Sequence, residues 1–263
     1  MKLMLEGKVA LVAGPVKGMG AAITRAFANE GCRMVLLGRD VTAIDRLTAE
    51  LKASGTDSIT LECDLTNSAQ CEATAAAALA AFGVIDILVN VAGGSGPIGK
   101  TGAETSADEF DEVVTLNVAG PFHMMRAVAP AMIEQHSGKI INIGGTFGMR
   151  GRGGRAAYSA SKWGLRGVTK SFAIELGPHN INVNIVAPGM VDGPRFRDKV
   201  CADMAKRLNI TPEEAAQRHA ADYALRRVSL DSDIANACLF LASDASRQIT
   251  GIDLPVDGGW AAL

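Results

Sequence analysis

The sequence predicts a single α/β domain built on a doubly wound parallel sheet, and three observations support that fold class. Short apolar runs rich in Val, Ile and Leu alternate along the chain with longer segments of helical character. Most of these runs are continuously apolar, which is typical of parallel strands that helices cover on both faces. No repeat, low-complexity tract or linker divides the 263 residues, and a chain of this length can bury one large core.

The predicted strands and helices alternate from one end of the chain to the other. The strands are Val9–Ala13, Met34–Leu37, Ile59–Leu61, Ile85–Asn90, Lys139–Ile143, Asn182–Ala187 and Ile252–Val256. The helices between them are Gly18–Glu30, Val41–Ser54, Ser68–Phe82, Ala107–Gln135, Ala156–Leu176 and Ser232–Ala242. Repeated strand–helix units of this kind predict a doubly wound, seven-stranded parallel sheet.

Two helix N-termini can be predicted from capping residues in the sequence. Ser106 and Glu109 have the spacing of a capping box, in which each side chain bonds the other residue's backbone N–H. Thr211 and Glu214 repeat that spacing, with Pro212 at the first helical position. We therefore expect helices to begin at these two points.

Composition excludes several classes of protein. Lys and Arg number 26 against 28 Asp and Glu, so the net charge of −2 offers no argument for nucleic acid or an anionic membrane surface. No apolar stretch is long enough for a membrane span, and no signal peptide is recognised, so we expect a cytoplasmic protein. The cysteines form no CxxC pair, which argues for a reducing compartment and against a disulfide framework or a zinc site; they are Cys32, Cys63, Cys71, Cys201 and Cys238. The four histidines show no metal-ligand grouping either, so no metal site is predicted.

A glycine-rich turn follows the first predicted strand and precedes the first predicted helix. Gly14, Gly18 and Gly20 stand in the spacing GxxxGxG, with Lys17 and Met19 between them. Glycines at such a turn let backbone N–H groups approach a pyrophosphate at the helix N-terminus. The turn therefore indicates a nucleotide-binding site, although a glycine-rich turn alone is a weak signal.

Four motifs, taken together, resemble the single-domain short-chain dehydrogenases/reductases. They are the turn just described, Asn90-Val91-Ala92-Gly93 after the fourth strand, Tyr158-x-x-x-Lys162, and Pro188-Gly189 after the sixth strand. The resemblance spans essentially the whole chain and implies a Rossmann-like domain that binds NAD or NADP. It also implies hydride transfer between nicotinamide and a secondary alcohol or ketone, in a homotetramer or homodimer.

The same resemblance assigns cofactor contacts residue by residue. Gly14, Gly18 and Gly20, with Lys17 and Met19, would line the pyrophosphate turn, and Asp64 with Leu65 would contact the adenine. The remaining contacts would come from residues that follow the fourth and sixth strands, namely Asn90, Ala92, Gly93, Pro188, Gly189 and Val191.

The end of the second strand bears on which nicotinamide cofactor is bound. Gly38 stands where members of the family that use NAD carry an aspartate, and Arg39 follows it. A carboxylate would repel the 2′-phosphate of NADP, whereas Arg39 can pair with that phosphate bidentately. Lys17 is a second cation at the site. We therefore expect a preference for NADP, with NAD as the alternative.

Tyr158 and Lys162 are four residues apart, so they share one face of a helix. A phenol has too high a pKa to act as an acid/base at neutral pH, and a nearby ammonium lowers it. Tyr158 is therefore the predicted general acid/base and Lys162 its activator, which also holds the nicotinamide ribose. By resemblance, Asn117 offers a backbone carbonyl that holds a proton-relaying water.

The chain departs from the family at the usual catalytic serine, because Gly145 occupies that position, thirteen residues before Tyr158. Three explanations stay open at this stage. Thr146 supplies the hydroxyl in place of serine; or a substrate hydroxyl, a water or a backbone N–H does so; or the protein binds nucleotide with little activity. The last explanation defines the alternative function, a catalytically impaired regulatory protein of the same fold.

Residues 193–228 are rich in charge and poor in β-forming residues, so we interpret them as a helical lid over the substrate. Basic residues near Tyr158 and in this lid would favour an anionic substrate if they point inward: Arg150, Arg152, Arg155, Arg195 and Arg197. Apolar residues are equally placed to form a wall for a cyclic or aromatic alcohol: Phe147, Met149, Met190 and Phe196.

Overall fold

Seven parallel strands form one sheet in the computed structural model, which describes residues 3–262. Their bounds are β1 Val9–Ala13, β2 Arg33–Gly38, β3 Ser58–Glu62, β4 Ile87–Asn90, β5 Gly138–Ile143, β6 Ile181–Pro188 and β7 Asp253–Val256. The order across the sheet is β3-β2-β1-β4-β5-β6-β7, and every neighbouring pair is parallel. The predicted fold class is confirmed.

Nine α-helices belong to the described residues. Their bounds are α1 Met19–Asn29, α2 Val41–Ala53, α3 Ser68–Phe82, α4 Ala107–Val114, α5 Gly120–Glu134, α6 Ala156–Leu176, α7 Ala202–Leu208, α8 Pro212–Ala221 and α9 Asp231–Ala242. Both predicted capping boxes are present, from Ser106 to Glu109 and from Thr211 to Glu214.

The helix predicted over residues 107–135 is not a single α-helix. A π-helical segment, Thr115–Ala119, joins α4 to α5. Pro121 has no N–H to donate to the carbonyl of Asn117, four residues earlier, so the α-helical hydrogen bonds are interrupted there. The backbone N–H of Gly120 bonds to the carbonyl of Thr115 instead, five residues back. This interruption places Asn117 on a widened turn next to the carboxyl ends of the strands.

Two apolar cores lie on the two faces of the sheet. Successive residues of β1 point to opposite faces, so Ala10 and Val12 pack in one core while Val9 and Leu11 pack in the other. Helices α1, α2 and α9 cover the first face, and α3, α5 and α6 cover the second. Burial on both faces explains why the strands are continuously apolar.

The direction in which the strands are added reverses between β1 and β4. Connections run from β1 outward to β2 and β3, and then from β4 outward to β7. A crevice opens at the carboxyl ends of the strands where such a reversal occurs, and ligands of doubly wound sheets bind in it. The motifs of the sequence therefore belong to loops that meet at this crevice.

Residues 193–228 are largely helical. They contain the π-helical segment Arg195–Cys201 followed by α7 and α8. A parallel bridge between Val191 and Ser229 closes the base of this insertion. Within residues 3–262, no helix combines the length and apolar character that crossing a bilayer requires. All five cysteines are buried thiols outside any disulfide.

Candidate active site

Gly14 and Ala92 are in contact where β1 and β4 end. A Cβ atom at Gly14 would lie 2.8 Å from the backbone nitrogen of Ala92, and the φ of Gly14 is +84°. Only glycine fits both the close approach and the left-handed backbone. The backbone N–H of Ala92 donates to the carbonyl of Ala13 at 2.8 Å, so a backbone hydrogen bond joins the ends of β1 and β4.

The rest of the glycine-rich turn leads directly into α1. A Cβ atom at Gly20 would lie 2.1 Å from the carbonyl oxygen of Gly14, so the first turn of the helix packs closely against the glycine-rich turn. A Cβ atom at Gly18, in contrast, would meet nothing within 4 Å. No side chain caps α1 and no acid stands in its first turn, so its positive end faces open space. This cradle fits the pyrophosphate of a dinucleotide.

Two cations flank the outer end of the cradle. Lys17 and Arg39 are both exposed, and neither forms an ion pair with any of residues 3–262. Asp40, the acid next to Arg39, accepts a hydrogen bond from the backbone N–H of Ala43 and caps α2. This end of the crevice is therefore suited to an additional phosphate.

The loop after β3 brings a carboxylate to the same side. Asp64 accepts hydrogen bonds from the backbone and hydroxyl of Thr66, and these bonds, together with the charge of Arg39, lower the pKa of its carboxyl. Leu65 is buried, and its carbonyl lies 2.9 Å from Nδ1 of His123. The backbone around Asp64 and Leu65 is thus held in one conformation beside the crevice.

Asn90 ends β4 as a buried amide. Its Nδ2 donates to Oδ1 of Asn142 at 2.8 Å, across the β4–β5 pair. Its Oδ1 is buried and has no hydrogen-bond partner within the described protein. Asn90 therefore keeps one acceptor unsatisfied close to the crevice.

Asn117 fastens the loop that follows Gly93. Its Oδ1 accepts from the backbone N–H of Gly94 at 2.8 Å, and its Nδ2 donates to the carbonyl of Gly94 at 2.9 Å and to Oγ of Ser161 at 3.0 Å. Ser161 in turn donates to the carbonyl of Tyr158. The amide side chain thus joins the β4 loop to the helix that carries Tyr158.

Lys162 is buried at the centre of the site. Its Nζ donates to the carbonyl of Ile143, at the end of β5, at 2.9 Å. The same Nζ lies 5.6 Å from the ring centroid of Tyr158 and 3.8 Å from where a Cβ atom of Gly93 would stand. Burial lowers the pKa of Lys162 to about 8, because the charged form loses its hydration.

Tyr158 is half-buried among aromatic and basic side chains. The ring of Phe147 meets its ring edge-on at 6.1 Å, and the guanidinium of Arg155 lies 4.7 Å from its centroid. Burial raises the pKa of the phenol, and the charges of Arg195 and Arg155 act in the opposite direction. The phenolic oxygen has no hydrogen-bond partner among residues 3–262. It is therefore available to a ligand.

Gly145 lies opposite that oxygen. A Cβ atom at Gly145 would lie 3.3 Å from the hydroxyl of Tyr158 and 4.0 Å from Cγ of Lys162. Thr146, the next residue, is 4% exposed and begins a short 3-10 turn, Thr146–Gly148. Its hydroxyl has no hydrogen-bond partner within the described chain. It is the nearest hydroxyl along the chain to Gly145.

The loop after β6 closes the far side of the crevice. Pro188 ends β6, and a Cβ atom at Gly189 would lie 3.0 Å from Cβ of Asp257. The hydroxyl of Tyr223 accepts from the backbone N–H of Met190 at 2.8 Å, and Val191 forms the bridge described above. These bonds hold residues 188–191 beside the helical insertion of residues 193–228.

Sequence reasoning assigned no role to three of these positioning residues, namely Ser161, Tyr223 and Asp257. Asp257 accepts backbone N–H bonds from Gly259 and Ala261, and so fixes the C-terminal turn against Gly189. The only sequence signal for Tyr223 is that it is one of two tyrosines in the chain. Within residues 3–262, no three His, Cys, Asp or Glu side chains are grouped as metal ligands.

Comparison with known proteins identifies relatives along almost the whole chain. A family model described as enoyl-(acyl carrier protein) reductase matches residues 14–261. The 2,5-dichloro-2,5-cyclohexadiene-1,4-diol dehydrogenase LinX of Sphingobium indicum is 34% identical over 257 residues, which cover 98% of this chain and 97% of that one.

Two solved structures share the fold closely. An NAD⁺-bound xylitol dehydrogenase is 31% identical with a TM-score of 0.90, over 97% of this chain and 100% of that chain. A variant of actinorhodin polyketide ketoreductase with NADPH is 32% identical with a TM-score of 0.90, over 99% of both chains. The sheet order, the glycine-rich turn and these relatives agree. The chain therefore belongs to the short-chain dehydrogenase/reductase family of oxidoreductases.

Proposed function

We propose that this protein interconverts a secondary alcohol and a ketone with NADP as its preferred cofactor. The observation that carries the proposal is the arrangement of Tyr158, whose hydroxyl has no hydrogen-bond partner among residues 3–262 and whose ring centroid lies 5.6 Å from Nζ of Lys162. A general acid/base needs such a hydroxyl within reach of the substrate oxygen.

Nicotinamide, when bound, supplies or accepts the hydride at the substrate carbon. The residues that would hold the pyrophosphate are Gly14, Lys17, Gly18, Met19 and Gly20, at the positive end of α1. The adenosine would contact Asp64, Leu65, Asn90, Ala92 and Gly93. The nicotinamide end would contact Pro188, Gly189 and Val191, and its ribose would contact Lys162. The glycine cradle and the unsatisfied Oδ1 of Asn90 fit a bound dinucleotide.

Tyr158 gives its proton to the substrate oxygen during reduction and takes it back during oxidation. The buried phenol has a raised pKa, so it needs positive charge nearby to ionise at neutral pH. Arg195 and Arg155 bring positive charge that lowers this pKa, and Lys162, on the same helix, would bring a third positive charge. Asn117 holds the β4 loop and the Tyr158 helix in register, and its backbone carbonyl would hold the relay water.

Thr146 supplies the hydroxyl that binds the substrate oxygen, in place of the absent serine. Thr146 is buried as a residue, its hydroxyl has no hydrogen-bond partner within the described chain, and Gly145 beside it leaves space next to Tyr158. A hydrogen-bond donor at the reacting oxygen is worth roughly 10²–10³ in rate. A substrate hydroxyl, a water or a backbone N–H is the remaining alternative.

The preference for NADP rests on charge. Lys17 and Arg39 are exposed and form no ion pair in the described chain, although the charge of Arg39 acts on Asp64, while Asp40 is engaged as a helix cap. An added 2′-phosphate would neutralise both cations, whereas NAD has no group for them to bind.

Residues 193–228 act as the substrate lid, and we expect a homotetramer or homodimer in the cytoplasm. The exposed apolar side chains of α6 support self-association, because Trp163 is 50% and Ile174 is 79% exposed. Light scattering of the purified protein measures the oligomer directly, and a monomer would contradict this expectation.

Tyr158→Phe tests the proposed reaction. We expect the variant to bind NADPH as the wild type does, measured by nicotinamide fluorescence, and to lose roughly 10²–10⁴ of kcat on a panel of ketones. Lys52→Met, at the exposed end of α2, is the control for an unrelated surface change. If the wild type binds NADPH but turns over no ketone or alcohol, the catalytically impaired alternative is correct.

A further inference from the structure

Arg155 is a buried cation within the proposed substrate site. Its side chain is 9% exposed and its guanidinium carbon lies 4.7 Å from the ring centroid of Tyr158 and 5.9 Å from that of Phe147. Nη2 donates to the carbonyl of Ser95, in the loop after β4, at 3.1 Å. Arg155 thus bridges the β4 loop and the start of α6 at the point where a ketone would meet Tyr158.

Most of the donors of this guanidinium have no hydrogen-bond partner. Nε is buried with no hydrogen bond, and Nη1 has none among residues 3–262. A buried arginine is rarely left unpaired, because its donors lose their water without compensation. The charge is also uncompensated: no acidic side chain of the described chain forms an ion pair with Arg155.

Two further arginines face the same region. Arg195, the first residue of the π-helical segment in the lid, is close enough for its charge to act on both Tyr158 and Arg155. Arg152 lies 5.5 Å from the ring centroid of Phe147. Neither forms an ion pair within the described residues. Asp192 pairs with Arg197, and Asp257 accepts two backbone N–H groups. Asp222, whose charge acts on His219 and Tyr223 together with that of Arg152, forms no ion pair with these arginines within the described residues.

A ligand that brought negative charge would satisfy all of these groups together. We propose that Arg155, assisted by Arg195, binds an anionic group of the substrate, a carboxylate or a phosphate, so that the enzyme acts on short anionic hydroxy and keto compounds. The anion would lie within a few bonds of the reacting carbon, because Arg155 stacks directly on the ring of Tyr158. Guanidinium groups bind both anions bidentately.

This inference rests on the proposed function and names its substrate class. The neutral alternative, an apolar wall of Phe147 and Met149, leaves the buried Nε of Arg155 unsatisfied. A purely structural Arg155, which only tethers Ser95, would affect all substrates equally when it is replaced. A binding role would affect anionic substrates selectively.

Matched pairs of ketones test the inference, with the full-length protein saturated with NADPH. Acetoacetate is compared with methyl acetoacetate, and dihydroxyacetone phosphate with dihydroxyacetone, so the two arms separate a carboxylate site from a phosphate site. We expect kcat/KM to be at least about 10-fold higher for the anion of one pair. Equal values within both pairs, or a preference for the neutral members, would overturn the inference while leaving the proposed reaction intact.

Variants then assign the effect to the arginines. Arg155→Met is expected to lower kcat/KM for the preferred anion by about 10- to 100-fold more than for its neutral partner, mainly through KM, because the effect of the lost charge on Tyr158 is common to both substrates. Arg155→Lys keeps the positive charge but loses the planar guanidinium, so its kcat/KM for the anion should lie between those of the wild type and Arg155→Met. Arg195→Met should have a smaller effect of the same selectivity, and Arg218→Met, exposed on α8, should have none. An equal loss for anionic and neutral ketones would show that Arg155 is only a structural tether.

A binding measurement keeps the inference testable even if no probe is reduced. Acetoacetate and dihydroxyacetone phosphate are titrated calorimetrically into the wild type and Arg155→Met, each saturated with NADP⁺. If a probe binds saturably to the wild type but not to Arg155→Met, the anion site is supported. If that probe is nevertheless not reduced, the result counts against the proposed reaction. Absence of binding of both probes to the wild type would overturn the anion site.

Discussion

Gly145 faces the hydroxyl of Tyr158: a Cβ atom at position 145 would lie 3.3 Å from the phenolic oxygen. The backbone of Gly145 is extended, with a φ of 160°, so any residue can adopt it. The chain therefore leaves open the place from which a serine would reach the substrate oxygen. Thr146, buried one residue further on, is the hydroxyl that we expect to serve instead.

Replacing Thr146 by valine removes that hydroxyl and keeps the shape of the side chain. We expect kcat to fall by roughly 10²–10³, because one donor to the reacting oxygen is lost. Affinity for NADPH, measured by fluorescence titration, should not change. Thr146→Ser is the control and should keep most of the activity. Full activity of Thr146→Val would mean that the substrate, a water or a backbone N–H supplies the hydrogen bond.

A serine at position 145 should rescue the valine variant. In the double variant Gly145→Ser with Thr146→Val, the new hydroxyl would stand beside Tyr158, so we expect kcat to recover by about 10-fold or more. Gly145→Ala with Thr146→Val adds the same Cβ atom without a hydroxyl and should recover nothing. Equal rates for the two double variants would show that a hydroxyl at this place does not assist the reaction.

The buried ammonium of Lys162 makes stability depend on pH in a defined window. Its pKa in the folded protein is about 8, below the value of 10.5 that it has in an unfolded chain. Between these two pH values the unfolded state binds more protons, so the folded state gains stability as pH rises. Relative to Lys162→Met, the wild type should gain about 3 kcal/mol of unfolding free energy between pH 7 and pH 10.5.

Urea unfolding of both proteins across that range measures the gain. Loss of the hydrogen bond to the carbonyl of Ile143 lowers the unfolding free energy of the variant by an amount that we treat as constant with pH. It therefore does not change how the difference between the two proteins varies with pH. Lys52→Met, at the exposed end of α2, should show no such trend. A constant difference between wild type and Lys162→Met would mean that the buried amine titrates normally.

Arg39 is expected to recognise the phosphate that distinguishes NADP from NAD. Arg39→Asp replaces the cation by a carboxylate, which repels the 2′-phosphate and can accept from a ribose hydroxyl. We expect the ratio of the NADPH and NADH dissociation constants to shift towards NADH by about 100-fold or more. Arg46→Asp, exposed on α2, is the control for net charge. Equal wild-type affinities for the two cofactors would contradict the assignment.

Asn117 should contribute strongly to stability through its side chain. Asn117→Ala removes three hydrogen bonds, to the N–H and carbonyl of Gly94 and to Ser161, and leaves buried groups unpaired. We expect a loss of about 2–4 kcal/mol in unfolding free energy, measured by urea denaturation. Asn29→Ala, exposed at the end of α1, is the matched control and should change little. A loss no larger than that of the control would mean that the β4 loop does not depend on this amide.

The sequence predicted the sheet better than the helix ends and their interruptions. Burial on both faces demands continuous apolar runs, and those runs are visible without a structure. The break at Thr115–Ala119 was not predicted, since Pro121 acts there through a missing backbone donor and leaves the apolar pattern of residues 107–135 unchanged. Strand β4 begins at Ile87, two residues later than predicted, because pairing with β1 and β5 decides where a strand starts.

Local chemistry in the sequence determined the fold class, the capping boxes at Ser106 and Thr211, and the glycine-rich turn, since each depends on residues close together along the chain. Only the tertiary structure decided which residues from distant segments of the chain come into contact. Gly145 faces Tyr158 because β5 and α6 converge, and Arg155 is buried with its Nε unpaired because the β4 loop folds over α6. Such contacts join secondary-structure elements that are far apart along the chain, so the spacing of residues in the sequence does not predict them.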